Sequence, residues 1–223
     1  MFARWFMLLL VGAIGCQPSA DSVVSKYRSE LEAIKEKLDQ IKNTLPESAE
    51  DIKAQLVPKL VLDEQSPEHN CESIMFLELA GAEPKLDLLL TSNLSSSLFW
   101  LDKPPSGGSS EFMERTMKAA CKSRYLVVHR VDESQLPVAV SDTEFQGGLV
   151  QIDGFVIDMD SLEIVASYRV QAKPEESVQF SVKDGEDRKS RLQSFAHSSV
   201  WNNARQLVSE AIQSNTGGEV RLK

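Results

Sequence analysis

The chain lacks the residue patterns that most catalytic and metal sites need. It has only three histidines and three cysteines among its 223 residues. Of these, His69 and Cys71 alone stand at a spacing that could ligate zinc, and a zinc site needs a second such pair. No serine lies in a Gly-x-Ser-x-Gly elbow, and no glycine-rich loop could cradle a phosphate. We therefore predict no catalytic residue, no metal and no cofactor, and a protein that is not an enzyme.

Acidic side chains are plentiful, but no pair of them marks an active site. Asp158, Asp160 and Glu163 surround a predicted turn. They lack the twelve-residue ligand pattern and the central glycine of a calcium loop, so we predict solvated turn residues. His129 falls in a predicted strand, where a partly buried histidine with a partner is the ordinary case. His197 falls on a predicted helix and is expected to be exposed.

Positive charge is also scarce. The chain has 24 Lys and Arg against 33 Asp and Glu, a net charge of −9. This balance excludes nucleic acid as a partner, because such binding depends on neutralising phosphates. It also argues against attraction to an anionic lipid surface. With 42% apolar and 26% charged residues, the composition is that of a globular protein. The length suits one domain with an extension, or two small domains.

No apolar run is long enough to span a membrane. The longest, from Trp5 to Ile14, has about ten residues, half of what a spanning helix needs. Arg4 precedes this run, and small residues follow it. A positive start, an apolar core and small residues are the layout of a secretory signal peptide, which we place at residues 1–15.

The four residues at the end of the run, Ala13-Ile14-Gly15-Cys16, resemble the lipobox of bacterial lipoproteins. The resemblance implies that the signal peptide is removed before Cys16. It also implies that this cysteine carries a diacylglycerol on sulfur and an acyl chain, such as palmitate, on its new amino terminus. Residues 16–20 then form the lipidated cysteine and a spacer. Gln17 is similar to the residue that directs such proteins to the outer membrane, where the chain would face the periplasm.

The other two cysteines leave two interpretations open. If Cys16 is lipidated, Cys71 and Cys121 are an even pair in an oxidising compartment. A disulfide between them would close a loop of about fifty residues and stabilise the fold by roughly 3–4 kcal/mol. Alternatively, both are buried free thiols, since Cys121 falls on a predicted helix where it would pack as a small hydrophobe.

A stripe of apolar residues predicts an amphipathic helix directly after the spacer, ended by Pro46. The stripe consists of Val24, Tyr27, Leu31, Ile34, Leu38, Ile41 and Leu45. One interpretation is a coiled coil that joins copies of the chain near the membrane. The other is a helix packed on its own domain, or in a hairpin with a second helix that starts near Ser48. We assign residues 21–65 to this helical stalk.

Residues 66–223 are predicted to form a globular domain. Alternating apolar residues predict strands, and the tight turn at Asp160-Ser161 makes the strands on either side of it antiparallel. Two helices, the first capped by Ser110, are expected to pack on the sheet. The predicted strands are 74–79, 125–131, 149–159, 162–171 and 178–182, and the predicted helices are 111–122 and 189–214. The fold class is therefore α+β: an N-terminal helix or helical hairpin, then an antiparallel sheet packed against helices.

One segment is a candidate binding loop. Residues 104–109 are rich in proline, glycine and serine, and Phe99 and Trp100 precede them. Aromatic side chains beside such a loop often make contacts with a partner. The alternative is that both aromatic residues belong to the core at the end of a strand.

Together these features predict a lipid-anchored envelope protein with a non-enzymatic binding or assembly role, acting on other envelope proteins. Two alternatives stay open. One is a hydrolase of envelope polymers whose acidic catalytic residues show no pattern in the sequence. The other is a structural oligomer held together by a coiled coil.

Overall fold

A computed structural model describes residues 19–51, 57–65, 70–77, 92–105, 109–176, 180–181 and 185–222. The predicted signal peptide, Cys16, His69 and most of the predicted strand at 178–182 lie outside these residues. The helices are α1 (Ala20–Thr44), α2 (Asn93–Asp102), α3 (Ser110–Lys122) and α4 (Arg188–Thr216). The strands are β1 (Val61–Asp63), β2 (Cys71–Leu77), β3 (Tyr125–Gln135), β4 (Val138–Ala139), β5 (Phe145–Gln146), β6 (Leu149–Asp158), β7 (Ile164–Ala172) and β8 (Glu219–Arg221).

A four-stranded sheet in the order β2-β3-β6-β7 lies between two layers of helices. Side chains alternate along each strand, so Val127 of β3 packs toward α4 while its neighbours Leu126 and Val128 pack toward α1, α2 and α3. The predicted α+β class is confirmed. The sheet is mixed, however, because β2 pairs with β3 in parallel. The chain between them passes through α2 and α3, and a crossover of that length returns it in the same direction.

The apolar stripe of α1 packs into the protein's own core. Val24, Tyr27, Leu31, Leu38 and Ile41 are buried, and Ile34 and Leu45 pack at the edge of the same cluster. Of the two interpretations of the stripe, the structure has the intramolecular one. A coiled coil would have to withdraw these side chains from the core.

Residues 20–44 therefore belong to the globular body and do not form a separate stalk. The chain after them also returns to this body, because β1 pairs with β8 near the C-terminus. Residues 49–51 form a short 3-10 turn, and residues 52–56, where a second helix of a hairpin is the alternative, lie outside the described residues.

The structure corrects three local predictions. Phe99 and Trp100 lie on a helix, α2, and not at the end of a strand. Ser109 caps α3 in place of Ser110, with its Oγ accepting the Phe112 N–H at 3.4 Å. The strand expected to start at Leu162 starts two residues later, because Leu162 has a φ of 60° in the turn.

Cys71 and Cys121 carry free thiols, so the disulfide interpretation does not hold in this structure. Cys71 is buried in the cluster under α4, whereas Cys121 packs on the cluster under α1. The sheet lies between the two sulfur atoms. Burial raises the pKa of Cys71 far above its usual range, and burial together with Glu30 raises the pKa of Cys121 to about 12. Both are therefore unreactive thiols near neutral pH.

Candidate functional site

Three aromatic side chains form an exposed surface where α2 meets α3. Phe99 is 59% exposed and Phe112 is 52% exposed, and Trp100 is half-buried and packs on the apolar cluster under α1. The Trp100 and Phe112 rings meet edge-on with their centroids 6.1 Å apart. Arg115 lies over the Phe112 ring at 5.7 Å. We call Phe99, Trp100 and Phe112 the aromatic surface; it contains both residues predicted for the binding loop.

Hydrogen bonds at the start of α2 fix the helix that carries Phe99. The Ser92 Oγ accepts the Ser95 N–H at 3.0 Å, which caps the helix. The Glu72 carboxylate on β2 accepts the Leu94 N–H at 3.1 Å and an Asn93 Nδ2–H at 2.9 Å. This carboxylate therefore satisfies a helix N-terminus.

The aromatic surface lies beside the first turns of α1. Arg28 donates from Nη2 to the carbonyl oxygen of Leu101, near the end of α2, at 3.4 Å. Lys26 forms an ion pair with Glu114, one half-turn after Phe112 on α3. At 1.5 Å per residue, Lys26 lies about 9 Å along the helix from Ala20, where α1 begins.

A groove lies near the opposite end of α1. Its volume is about 520 Å³, and it is bounded by the last turn of α1, the turn between β6 and β7, and the start of β7. Apolar side chains line it together with polar side chains from the turn. They are Ile41, Thr44, Leu45, Val57, Ile157, Asp158, Ser161, Leu162, Glu163, Ile164 and Val165. Its volume falls within the range of ligand sites, and its lining is mixed polar and apolar.

Leu162 adds a sign of strain to this groove. Its φ of 60° lies in the left-handed region, which costs a residue with a side chain about 1 kcal/mol. Backbone strain of this kind concentrates at functional sites. The turn itself is held by Asp158, which accepts hydrogen bonds from Arg124 at 2.9 Å and from the Asp160 N–H at 2.9 Å. Asp158, predicted to be a solvated turn residue, is therefore buried and held by these bonds, whereas Asp160 and Glu163 are exposed as predicted.

A buried ion cluster pins the segment after α1 to the sheet. The Asp153 side chain on β6 has no exposed surface. It accepts hydrogen bonds from Arg169 Nε at 2.6 Å, from Arg130 Nη2 at 3.3 Å and from the Ala49 N–H at 3.2 Å. Burial alone would raise the pKa of Asp153, but the bonds from Arg169, Ala49 and Arg130 outweigh it and lower the pKa below its usual value. The cluster stabilises the fold rather than poising a carboxyl for chemistry.

His129 on β3, Gly154 on β6 and Tyr168 on β7 are paired side by side across the sheet, on the face that packs against α4. The Tyr168 ring crosses Gly154, and its hydroxyl group meets His129 Nδ1 at 2.9 Å. Both side chains are buried. Burial, with a smaller effect from Arg205, lowers the pKa of His129 to about 4. The imidazole is therefore neutral near pH 7, and we assign its Nδ1 as the acceptor of the phenol proton.

Stability is expected to fall as the pH falls from about 6.5 to about 4 because of His129. In this window the unfolded chain binds a proton that the folded protein excludes. One such proton contributes a slope of about 1.4 kcal/mol per pH unit. Urea unfolding of the protein and of His129→Asn, measured across this window, checks the prediction. The amide of asparagine can bond Tyr168 but does not titrate, so the variant should lose this slope; equal slopes would contradict the prediction.

Among the residues that the structure describes, no group of three or more His, Cys, Asp or Glu side chains could hold a metal ion. Within the same ranges, no helix is both long and apolar enough to cross a bilayer. His197, expected to be exposed, is partly buried and contacts the carbonyl oxygen of Pro137 at 3.0 Å.

Sequence reasoning found Phe99 and Trp100 but missed Phe112 and the groove. Phe112 stands three residues after the predicted loop, and only the packing of α2 against α3 brings its ring to Trp100. The groove has no local pattern, because its walls come from segments more than a hundred residues apart.

No family model and no curated protein matches the chain. Two solved structures are similar to it. One is a candidate lipoprotein from Caulobacter crescentus CB15, with 13% identity, a TM-score of 0.28, and coverage of 56% of this chain and 84% of that one. The other is a protein from Xanthomonas campestris assigned to the family DUF330, with 9% identity, a TM-score of 0.22, and coverage of 71% and 96%. Likeness this distant carries no argument about function.

Proposed function

We propose that the protein is a lipid-anchored envelope protein with a non-enzymatic binding role, held by Cys16 and facing the periplasm from the outer membrane. The observation that supports this most is where the folded body begins. Ser19 caps α1, three residues after Cys16, and α1 packs directly into the core. Three extended residues reach at most about 11 Å. An anchor at Cys16 would therefore hold the body against the bilayer surface.

The groove near the end of α1 supports the binding role. It lies beside Ile41 and Leu45, while the anchor precedes Ala20. Along a helix, Ala20 and Ile41 are about 30 Å apart. The anchor and the groove are thus at opposite ends of one rigid helix, which would present the groove away from the membrane. Its mixed lining suits a ligand or partner segment that carries both apolar and polar groups.

The buried titratable groups support a role without catalysis. His129 is neutral and bonded to Tyr168, and both Cys71 and Cys121 are protonated thiols. Asp153 is bonded to two arginines. Each has a structural partner or an apolar surrounding.

Lipidation is tested by growing cells that express the chain with radioactive palmitate. We expect label on the protein and its recovery in the outer-membrane fraction, both lost in Cys16→Ser, because the sulfur atom is the acylation site. Cys71→Ser and Cys121→Ser are matched controls that should keep the label. Unlabelled wild-type protein would contradict the anchor. Turnover of a cell-wall or ester substrate by the purified chain from residue 16 onward would contradict the non-enzymatic role.

A further inference from the structure

The aromatic surface is the exposed apolar feature nearest to the proposed anchor. Cys16 is followed by a three-residue link and then by α1, whose Lys26 and Arg28 contact α3 and α2 beside the surface. Glu30, further along α1, meets Cys121, further along α3. The two helices therefore run in the same direction, and Phe112, in the first turn of α3, lies level with the first turns of α1.

This arrangement places Phe112 close to the start of α1, the end of the helix that the proposed anchor precedes. Phe112 precedes Glu114, the partner of Lys26, by two residues. Its level along α1 is about 6 Å from Ala20. The link from Ser19 to Cys16 spans at most about 11 Å. A bilayer that holds the acyl chains of Cys16 is thus within reach of Phe112 and of Trp100, whose ring meets it, and Phe99 is the exposed neighbour of Trp100 on α2.

The chemistry of the surface suits the boundary between headgroups and acyl chains. Exposed phenylalanine rings prefer an apolar medium, and tryptophan is enriched at this boundary. Arg115 on α3 and Lys103 directly after α2 carry positive charge near the surface, but Asp102 on α2 and Glu111 and Glu114 on α3 offset them. With the net charge of −9, attraction to anionic lipid is not the driving force. The driving force would be the insertion of apolar side chains.

We propose that the aromatic surface inserts into the membrane interface and is a second contact that fixes the orientation of the anchored body. This rests on the proposed function, because the anchor brings the surface to the bilayer. Two contacts would stop the body from rotating about the short link. α1 would then point its far end, and the groove, away from the membrane. A bilayer is the occupant that we assign to this surface.

The test couples the mature chain, residues 16–223, to vesicles through the Cys16 thiol and a maleimide lipid, in a Cys121→Ala background. All helices and strands that the structure describes lie within residues 20–221, so this chain keeps them. The coupling reproduces the anchor whether or not cells acylate Cys16. The vesicles consist of phosphatidylcholine and phosphatidylethanolamine, with or without brominated acyl chains. A Trp201→Phe change leaves Trp100 as the single tryptophan of this chain.

We expect bromolipids to quench Trp100 and its emission to shift to shorter wavelength. Among coupled molecules, the double change Phe99→Ser with Phe112→Ser should lower the ratio of inserted to non-inserted Trp100 by about tenfold or more. The reason is that two half-exposed rings no longer enter the apolar layer. Val138→Ser, at a residue that is 60% exposed on β4, is the matched control and should change nothing. Raising the salt concentration from about 0.1 M to about 1 M should not release Trp100, since apolar insertion is not screened.

A second single-tryptophan chain, Trp100→Phe with Trp201 retained on α4, supplies the baseline for a residue on the other face of the sheet. Quenching of Trp100 no stronger than that of Trp201 would overturn the proposal. So would self-association without lipid that the Phe99→Ser change abolishes, because the surface would then join copies of the chain. These results leave palmitate labelling of Cys16 untouched, so failure of the second contact and failure of the anchor are distinguishable.

Discussion

Replacing Asp153 with alanine is expected to lower the free energy of unfolding by about 3–5 kcal/mol. The change removes the partner of Arg130, whose side chain is 9% exposed, and the main partner of Arg169. Two guanidinium groups would lose a carboxylate in a region that water reaches poorly. Leaving a buried charge without its partner costs far more than the pair itself contributes.

The same change should release the segment that follows α1. Asp153 accepts the Ala49 N–H, while Arg169 bonds the Ser48 Oγ at 2.9 Å and Arg130 bonds the carbonyl oxygen of Pro46 at 2.6 Å. The first bond is lost with the carboxylate itself, and the other two come from guanidinium groups that Asp153 orients. We expect faster hydrogen exchange at Ala49 in the variant than in the wild-type protein.

Urea unfolding monitored by circular dichroism measures the loss, with Glu114→Ala as the control. Glu114 also forms an ion pair, with Lys26, but both side chains are largely exposed. Removing it should change stability little, because exposed pairs contribute little. An Asp153→Ala protein as stable as Glu114→Ala would show that the cluster does not hold the fold.

Replacing Gly154 with alanine is expected to destabilise the protein by about 3 kcal/mol. A Cβ at this position would lie 1.8 Å from Cζ of Tyr168 and 2.2 Å from its hydroxyl oxygen. The ring cannot move away without breaking its bond to His129. Gly154 is thus required because a side chain from the next strand occupies the space above its backbone.

Gly147→Ala is the matched control for this prediction. Nothing lies within 4 Å of a Cβ at Gly147, whose φ is 73°. Its replacement should cost only about 1 kcal/mol of backbone strain. Thermal and urea unfolding of both variants measure the difference. Combining Gly154→Ala with Tyr168→Ala should cost less than the sum of the two single changes, because the ring that clashes is gone. Strict additivity would contradict the steric explanation.

Several local elements could be predicted from the sequence to within a few residues. The apolar stripe and Pro46 located α1, which ends at Thr44. The alternation in β7 located a strand paired with β6 through a tight turn. These succeed because helix and strand periods, caps and turns depend on neighbouring residues. Two signals of packing were also present: Asp153 and Gly154 both interrupt the apolar run of β6.

Long-range features could not be predicted in this way. No local sequence pattern indicates that β2 runs parallel to β3, or that the sheet separates Cys71 from Cys121. The sequence also does not tell which surface covers the apolar stripe of α1. A partner helix in a coiled coil and the chain's own core would both pack against the same apolar residues. A short apolar run such as residues 98–101 does not distinguish a helix from a strand, because it spans barely one helical turn.

The sequence by itself determined the features that a few adjacent residues encode: the acidic balance, the lipobox resemblance at Cys16, the α1 period and the sheet hairpin. Only the tertiary structure decided that α1 is part of the core, that Asp153 joins Arg130 and Arg169, and that Phe112 joins Phe99 and Trp100 beside the start of α1. The physical reason is that ion pairs, ring contacts and grooves arise between segments far apart in the chain. Their geometry is set by how the layers pack, and a linear pattern does not contain it.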